Sequence, residues 1–251
     1  MDPDQLARFG LLLVRPGLLV VAAPAFGGTY APGLLKVGLT VVLALVVATV
    51  VPVPSAPGAV GITVVVAREA AIGLSLAFAV RLLIGGAELA GYLAGFQIGF
   101  TYATVADPQT GAHNNVLSSV YGLLALVVFF ALNAHHDFIR ALLLSYEVLP
   151  MGAGGIDASL GGLVARMLGA VFTIGAQMAA PVVIVLLIVE LALGLMSRAA
   201  PSLNVLAQGF PVRLVVGLLA LAATLRAIPV VIQSAIPRLL DLGVHTAAAF
   251  R

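Results

Sequence analysis

The sequence predicts an all-α membrane protein with several spans, and three observations carry that expectation. Apolar residues make up 62% of the chain and charged residues 9%, against roughly 25% charged in a soluble globular protein. Mean hydropathy is +1.18, and twelve basic and ten acidic side chains are too few to cover a water-facing surface of this size. Seven apolar stretches reach or approach the roughly 20 residues that cross a bilayer as a helix. None shows the ten-residue alternation of a barrel, and lipid tolerates no unpaired backbone, so helices remain. A cytosolic enzyme domain and a disordered tail are excluded. So is a nucleic-acid module: the net charge is only +2 despite a pI near 9.3, and no Lys/Arg run could track phosphates. The chain has no Cys, hence no thiolate site, and no Trp, so an interfacial belt would rest on five Tyr and eleven Phe.

The first stretch, Phe9–Phe26, follows an acidic Met1-Asp-Pro-Asp opening. A cleavable signal starts with positive charge, and Arg15 interrupts the apolar run, so this segment is expected to stay in the mature protein. Val37–Val51 ends at the breaker Pro52-Val-Pro54-Ser-Ala-Pro57-Gly58. Ala59–Val80 and Leu82–Ala106 lie either side of Arg81, the second closing at Asp107-Pro108-Gln-Thr-Gly111. Val116–Ala134 runs into Asn133-Ala-His135-His136-Asp137. Met167–Val189 comes after Pro150-Met-Gly152-Ala-Gly-Gly155, and Leu203–Ile236 after Ser197-Arg198-Ala-Ala-Pro201. Nothing reads as an interdomain linker, so one membrane domain over residues 1–251 is expected.

These stretches are untidy as spans. Arg15, Glu69, Arg81, Glu88 and Glu190 lie within or beside them, each costing about 2.5–3.5 kcal/mol at a bilayer centre. Pro24, Pro181, Pro211, Pro229 and Pro237 are expected to kink or break helices. Two readings fit: a small-solute or ion transporter with discontinuous helices around a cavity, in which Glu88 or Glu190 would be ion ligands, or a subunit whose helices pack against partner proteins. From Glu190 onward five Arg face two acidic residues, so the C-terminal third leans cytoplasmic by the positive-inside rule.

Ala87, Gly91, Gly95, Gly99 and Ala103 recur every four residues. On a helix they form a narrow stripe, drifting by about 40° per step, that lets another helix approach closely, in this chain or in a partner. Glu88 and Gln97 beside it need polar neighbours. In Asp107-Pro108-Gln-Thr-Gly111, proline disfavours helix at Asp107, and Gly111 permits a left-handed turn. The motif is therefore expected to end the preceding helix, as a plain turn or a functional loop. His135 and His136 are adjacent, about 100° apart on a helix, and no His-Glu-x-x-His spacing exists. They read as polar termination of a helix rather than metal ligands or an enzyme's catalytic pair. Ser118, Ser119 and Ser145 sit in no nucleophile motif. Arg198, Arg213, Arg226 and Arg238 are too widely spaced for a voltage sensor. Glu190 and Arg198 are too far apart for a direct pair, so each is expected to find a partner elsewhere.

Taken together these motifs resemble the FliR family of flagellar export-gate proteins, whose injectisome counterparts are the SctT family. The resemblance runs from about Arg15 to Gly217. It rests on Arg15 with Ala23-Pro24 through Pro32 and Lys36-Val-Gly38-Leu; on Glu88 through Gln97, Gly99 and Asp107-Pro108; on Asn133-Ala-His135; and on Leu149-Pro150-Met-Gly152. Leu191-Ala-Leu-Gly194-Leu follows, leading through Arg198, Pro201 and Asn204 to Gly209-Phe210-Pro211. Ala134 departs from the family's frequent glycine, and the Asp-Pro-Gln-Thr-Gly motif and double histidine look flagellar.

The resemblance implies a subunit of helical hairpins that coils with FliP-like and FliQ-like subunits into a spiral gate in the bacterial inner membrane, near FlhB-like and FlhA-like components. Unfolded export substrates would pass through the pore, and the segment 100–116, with Phe100, Tyr102, Val105, Asp107, Pro108 and Gly111, would form part of its plug. No catalysis, cofactor or metal is implied.

Overall fold

The computed structural model describes residues 3–27, 31–51, 59–100, 116–151, 160–200 and 205–249. Every regular element among them is helical. In chain order these are α1 (Pro3–Ala22), α2 (Pro24–Gly27), α3 (Gly33–Val50), α4 (Ala59–Ile98), α5 (Val116–Ala131), α6 (Ala134–Val148), α7 (Leu160–Ala199), α8 (Val205–Thr224), a 3-10 turn (Leu225–Ala227) and α9 (Ile228–Ala248). Four helical stretches, 33–50, 61–98, 161–199 and 209–246, are long and apolar enough to cross a membrane. This is an all-α polytopic membrane protein.

The observed helices differ from the expected stretches in three ways. Ala59–Val80 and Leu82–Ala106 are not two helices, because α4 runs unbroken through Arg81. That arginine is exposed, and a good helix former whose charge points outward gives no reason to stop. Pro181, Pro211 and Pro237 do not break their helices, and neither does Pro16. Each removes one backbone bond, which neighbouring groups in a helical membrane protein can compensate. Pro24 and Pro229 do stand at helix starts, where proline costs least. Finally, Asn133-Ala-His-His-Asp does more than terminate a helix. The chain turns at Asn133, left-handed with φ 55° and ψ 24°, and restarts as α6, with Asp137 favourably placed in its first turn.

The chain forms two compact units. One comprises Met1–Leu82, Phe129–Gly169 and Ile236–Arg251; the other comprises Leu83–Val128 and Ala170–Ala235. In the first unit α1 lies against α3, where a Cβ on Gly17 would meet Thr40 Cγ2 at 3.3 Å. Buried Leu19, Val20, Ile72, Leu76 and Val80 fill its interior. Phe26 meets Phe129 edge-on, ring centres 6.4 Å apart, and Phe129 lies 5.7 Å from Phe138. In the second unit Ala94, Ile98, Leu117, Val182 and Leu186 form a core, with Leu214, Ala220 and Leu221 packed on it.

Much apolar surface stays uncovered. Leu34, Val37, Val42, Leu45 and Val50 on α3, and Phe172, Ile184, Ile188, Leu191 and Leu195 on α7, are all more than half exposed. Faces this wide require lipid or protein against them.

Candidate functional site

Two acid–base pairs inside the apolar stretches are made within the chain. In the first unit Arg15 is fully buried. Its Nε donates to Glu69 Oε2 at 2.7 Å and its Nη2 to Glu69 Oε1 at 3.0 Å, a two-pronged ion pair. Nη1 donates to Ser145 Oγ at 3.0 Å, and Nη2 also reaches the Leu149 carbonyl at 3.3 Å. Tyr146 covers the guanidinium face at 3.9 Å. Sequence reasoning marked Arg15 and Glu69 as isolated costs and missed their pairing, as it missed Ser145. The available signal was a lone Arg15 in one apolar stretch and an Arg68-Glu69 doublet, with an acid to spare for it, in another.

In the second unit Glu190 pairs with Arg213 at 3.5 Å, both side chains one-third exposed. That meets the expectation that Glu190 finds a partner off its own helix; Arg198 is exposed at the end of α7. Pro211 lies within α8, and Pro201 and Asn204 fall outside the described residues. Ser118 Oγ donates to the Glu88 carbonyl at 2.8 Å. The Glu88 side chain occupies space that Gly122 leaves open, since a Cβ there would touch Glu88 Cγ at 3.0 Å. Gln97 is half-buried.

The small-residue stripe is helical only in part. Ala87, Gly91 and Gly95 are buried on α4. A Cβ on Gly91 would strike the Leu117 carbonyl oxygen and lie 2.7 Å from its carbon, so at this point the stripe packs α4 on α5 of the same chain. Gly99 is no packing position on a continuing helix. With φ 105° it ends α4, and Phe100 N–H donates back to the Gly95 carbonyl at 2.9 Å. Glycine reaches that conformation without Cβ strain, and the backward bond is the usual helix-closing one. The expectation that Asp107-Pro108 stops this helix is corrected, because it stops eight residues earlier.

Ala103, Tyr102, Val105, Asp107, Pro108 and Gly111 fall outside the described residues. Phe100, the described start of the expected plug, is 37% exposed. A second glycine contact was missed: a Cβ on Gly86 would lie 2.7 Å from Ile174 Cγ2, and one on Gly175 3.2 Å from the Gly86 carbonyl. Here α4 and α7 cross glycine to glycine.

His135 stacks obliquely between Phe130, 5.3 Å away, and His136, 4.1 Å away. Among the described residues no group of three His, Cys, Asp or Glu is placed to hold a metal ion.

With this geometry in view, comparison with known proteins decides the family. Residues 6–239, a span running through both units, match the bacterial export proteins, family 1. The chain belongs to that family. Among its relatives, the flagellar biosynthetic protein FliR of Bacillus subtilis (strain 168) is 30% identical over 235 residues, covering 92% of this chain and 91% of its own length. FliR of Pectobacterium carotovorum subsp. carotovorum is 30% identical over 241 residues, 95% of this chain and 92% of that protein. FliR of Escherichia coli (strain K12) is 29% identical over 212 residues, 84% and 81%. Resemblance to the FliR family therefore holds over nearly the whole chain, and places this export-family member among flagellar proteins.

Proposed function

We propose that this chain is a structural, pore-forming subunit of the flagellar type III protein export gate in the bacterial inner membrane, within the basal body. It joins FliP-like and FliQ-like subunits, with FlhB-like and FlhA-like components nearby, and unfolded flagellar substrates pass through the assembled pore. We assign it no catalytic step and no cofactor. The observation that carries this reading is the Glu190–Arg213 pair amid exposed Ile188, Leu191, Leu195 and Phe210. An ion pair in a lipid-facing surface is costly, whereas a surface covered by other protein helices accommodates it. The same pair argues against a solute transporter with Glu190 as an ion ligand, because that carboxylate already has a cation.

Co-expression with FliP-like and FliQ-like subunits is expected to give one stable complex on size exclusion, while the chain alone aggregates through its uncovered apolar faces. A well-behaved lone monomer that binds a small solute or ion would overturn the reading in favour of a transporter. Neighbouring flagellar or export-gate genes on the chromosome are expected as well.

A further inference from the structure

Three helices of the first unit converge on one guanidinium, and their chemistry constrains how they fit together. We propose that Arg15, Glu69, Ser145 and the Leu149 carbonyl form a polar latch that fixes the register of α1, α4 and α6, so that this unit completes its fold within the chain, before any partner subunit is met.

The pairing is specific because it is directional and dry. Four of the five guanidinium N–H groups have an acceptor, and both Glu69 oxygens are taken. Arg15 and Ser145 are fully buried and Glu69 is 1% exposed, so water cannot stand in for a lost partner. Sliding α1 by one residue along α4 would move the guanidinium by about 1.5 Å and swing it by about 100°. Both prongs would break, leaving two buried charges uncompensated, the arrangement most costly to a folded chain. A purely leucine seam would not punish such a slip as sharply.

The backbone is built for this contact. Gly73, one turn beyond Glu69 on the same face of α4, lies so close to α1 that a Cβ would sit 2.6 Å from the Arg15 carbonyl oxygen and 3.2 Å from its Cα. Only glycine lets α4 approach near enough for Glu69 to grip the guanidinium with both oxygens. From α6, Ser145 Oγ accepts from Arg15 while donating to the Leu142 carbonyl at 2.6 Å. The Leu149 carbonyl belongs to the negative end of that helix, which favours a cation. These α6 partners lie 130 and 134 residues after Arg15, so the latch closes only once α6 has been made.

The test uses the full-length chain alone in lipid nanodiscs, whose acyl chains cover its exposed apolar faces, read by hydrogen exchange with peptide resolution, so its outcome does not depend on the export-gate reading. Arg15→Met and Glu69→Leu are each expected to lower protection in α1, residues 61–82 and α6 together, by about 100-fold or more. Peptides of α8 should stay within about threefold of wild type, as elements that do not share the latch open separately. The double variant R15M/E69L should return to within about tenfold, because an apolar replacement of a whole buried pair is near neutral. Arg15→Lys should fall between, since an ammonium cannot fork. Single variants that match wild type, a loss confined to α1, or a double variant as damaged as the two singles added would each overturn the latch. Should the singles not be recoverable, a recovered double whose α1 peptides exchange faster than wild type, though within about tenfold, supports it, because an apolar seam no longer holds the register; a double with wild-type exchange in α1 overturns it.

Discussion

Gly91→Ala is the sharpest perturbation of helix packing that the chain offers. The added methyl would collide with the Leu117 carbonyl oxygen and lie 2.7 Å from the Leu117 carbonyl carbon and 2.8 Å from Ser118 Cα. All three are backbone atoms, so no side chain can swing aside. Restoring an ordinary carbon separation of about 3.5 Å needs roughly 0.8 Å of movement between α4 and α5. Overpacking of this kind costs about 1–3 kcal/mol. The Ser118 Oγ bond to the Glu88 carbonyl, 2.8 Å long at the same crossing, stretches with it, at about 0.5–1.5 kcal/mol. A total of about 2–4 kcal/mol corresponds to a fall in Tm of roughly 4–15 °C for a chain of this length. Melting of the purified chain in lipid nanodiscs, which cover its apolar faces, followed by far-UV circular dichroism, reads it directly. Gly85→Ala is the control, since a Cβ there meets nothing within 4 Å and alanine favours helix by about 1 kcal/mol. A Gly91→Ala chain that melts within about 1 °C of wild type would refute the reasoning. A normal melt combined with loss of complex would move this face from intrachain packing to a partner.

Gly95→Leu, at the next buried position of the stripe, is expected to lower recovery of the intact complex by pull-down, through overpacking of about 1–3 kcal/mol; wild-type yield would remove the position from any packed face. Gly99→Ala places a Cβ at φ 105° and is expected to cost about 1–3 kcal/mol, seen as faster hydrogen exchange in the last turn of α4; unchanged exchange would show that the cap is not held by glycine. Glu190→Leu leaves Arg213 without its carboxylate and is expected to reduce complex yield, which E190L/R213L should restore; a double variant no better than the single would mean the pair is not what the interface tolerates. Deleting residues 104–114, or shrinking Phe100 and Tyr102 to Ala, is expected to leave assembly intact but raise ion flux through the closed gate. Assembled complexes with no extra leak would sink the plug assignment and spare the family assignment.

The helical membrane class was legible because it is a property of composition, and the family because its motifs occur in order. Places where one local signal competes with another were less legible. Gly99 looked like a packing glycine, as its four-residue spacing continues the stripe, but a left-handed φ made it a terminator. Helix α6 was hidden because Asn133 to Asp137 is as polar as a loop, while the apolar residues that anchor it, Phe138, Ala141 and Leu142, follow only afterwards. The prolines misled because their cost was weighed against an isolated helix. Pairings such as Arg15–Glu69, 54 residues apart, are invisible to any local pattern. That pairing also changes why the lone chain should behave badly: the fully buried Arg15 and Glu69 satisfy each other, whereas the apolar faces have no cover. Of the expected plug segment 100–116, only its ends, Phe100 and Val116, lie among the described residues.

The closure of α4 at Gly99 has a consequence for how the length of this helix can change. The stop is written into Gly95 to Phe100, through one left-handed glycine and one backward hydrogen bond. A residue with a Cβ at position 99 would therefore fray or lengthen α4 whatever sequence follows, so the length of this helix hangs on one small side chain.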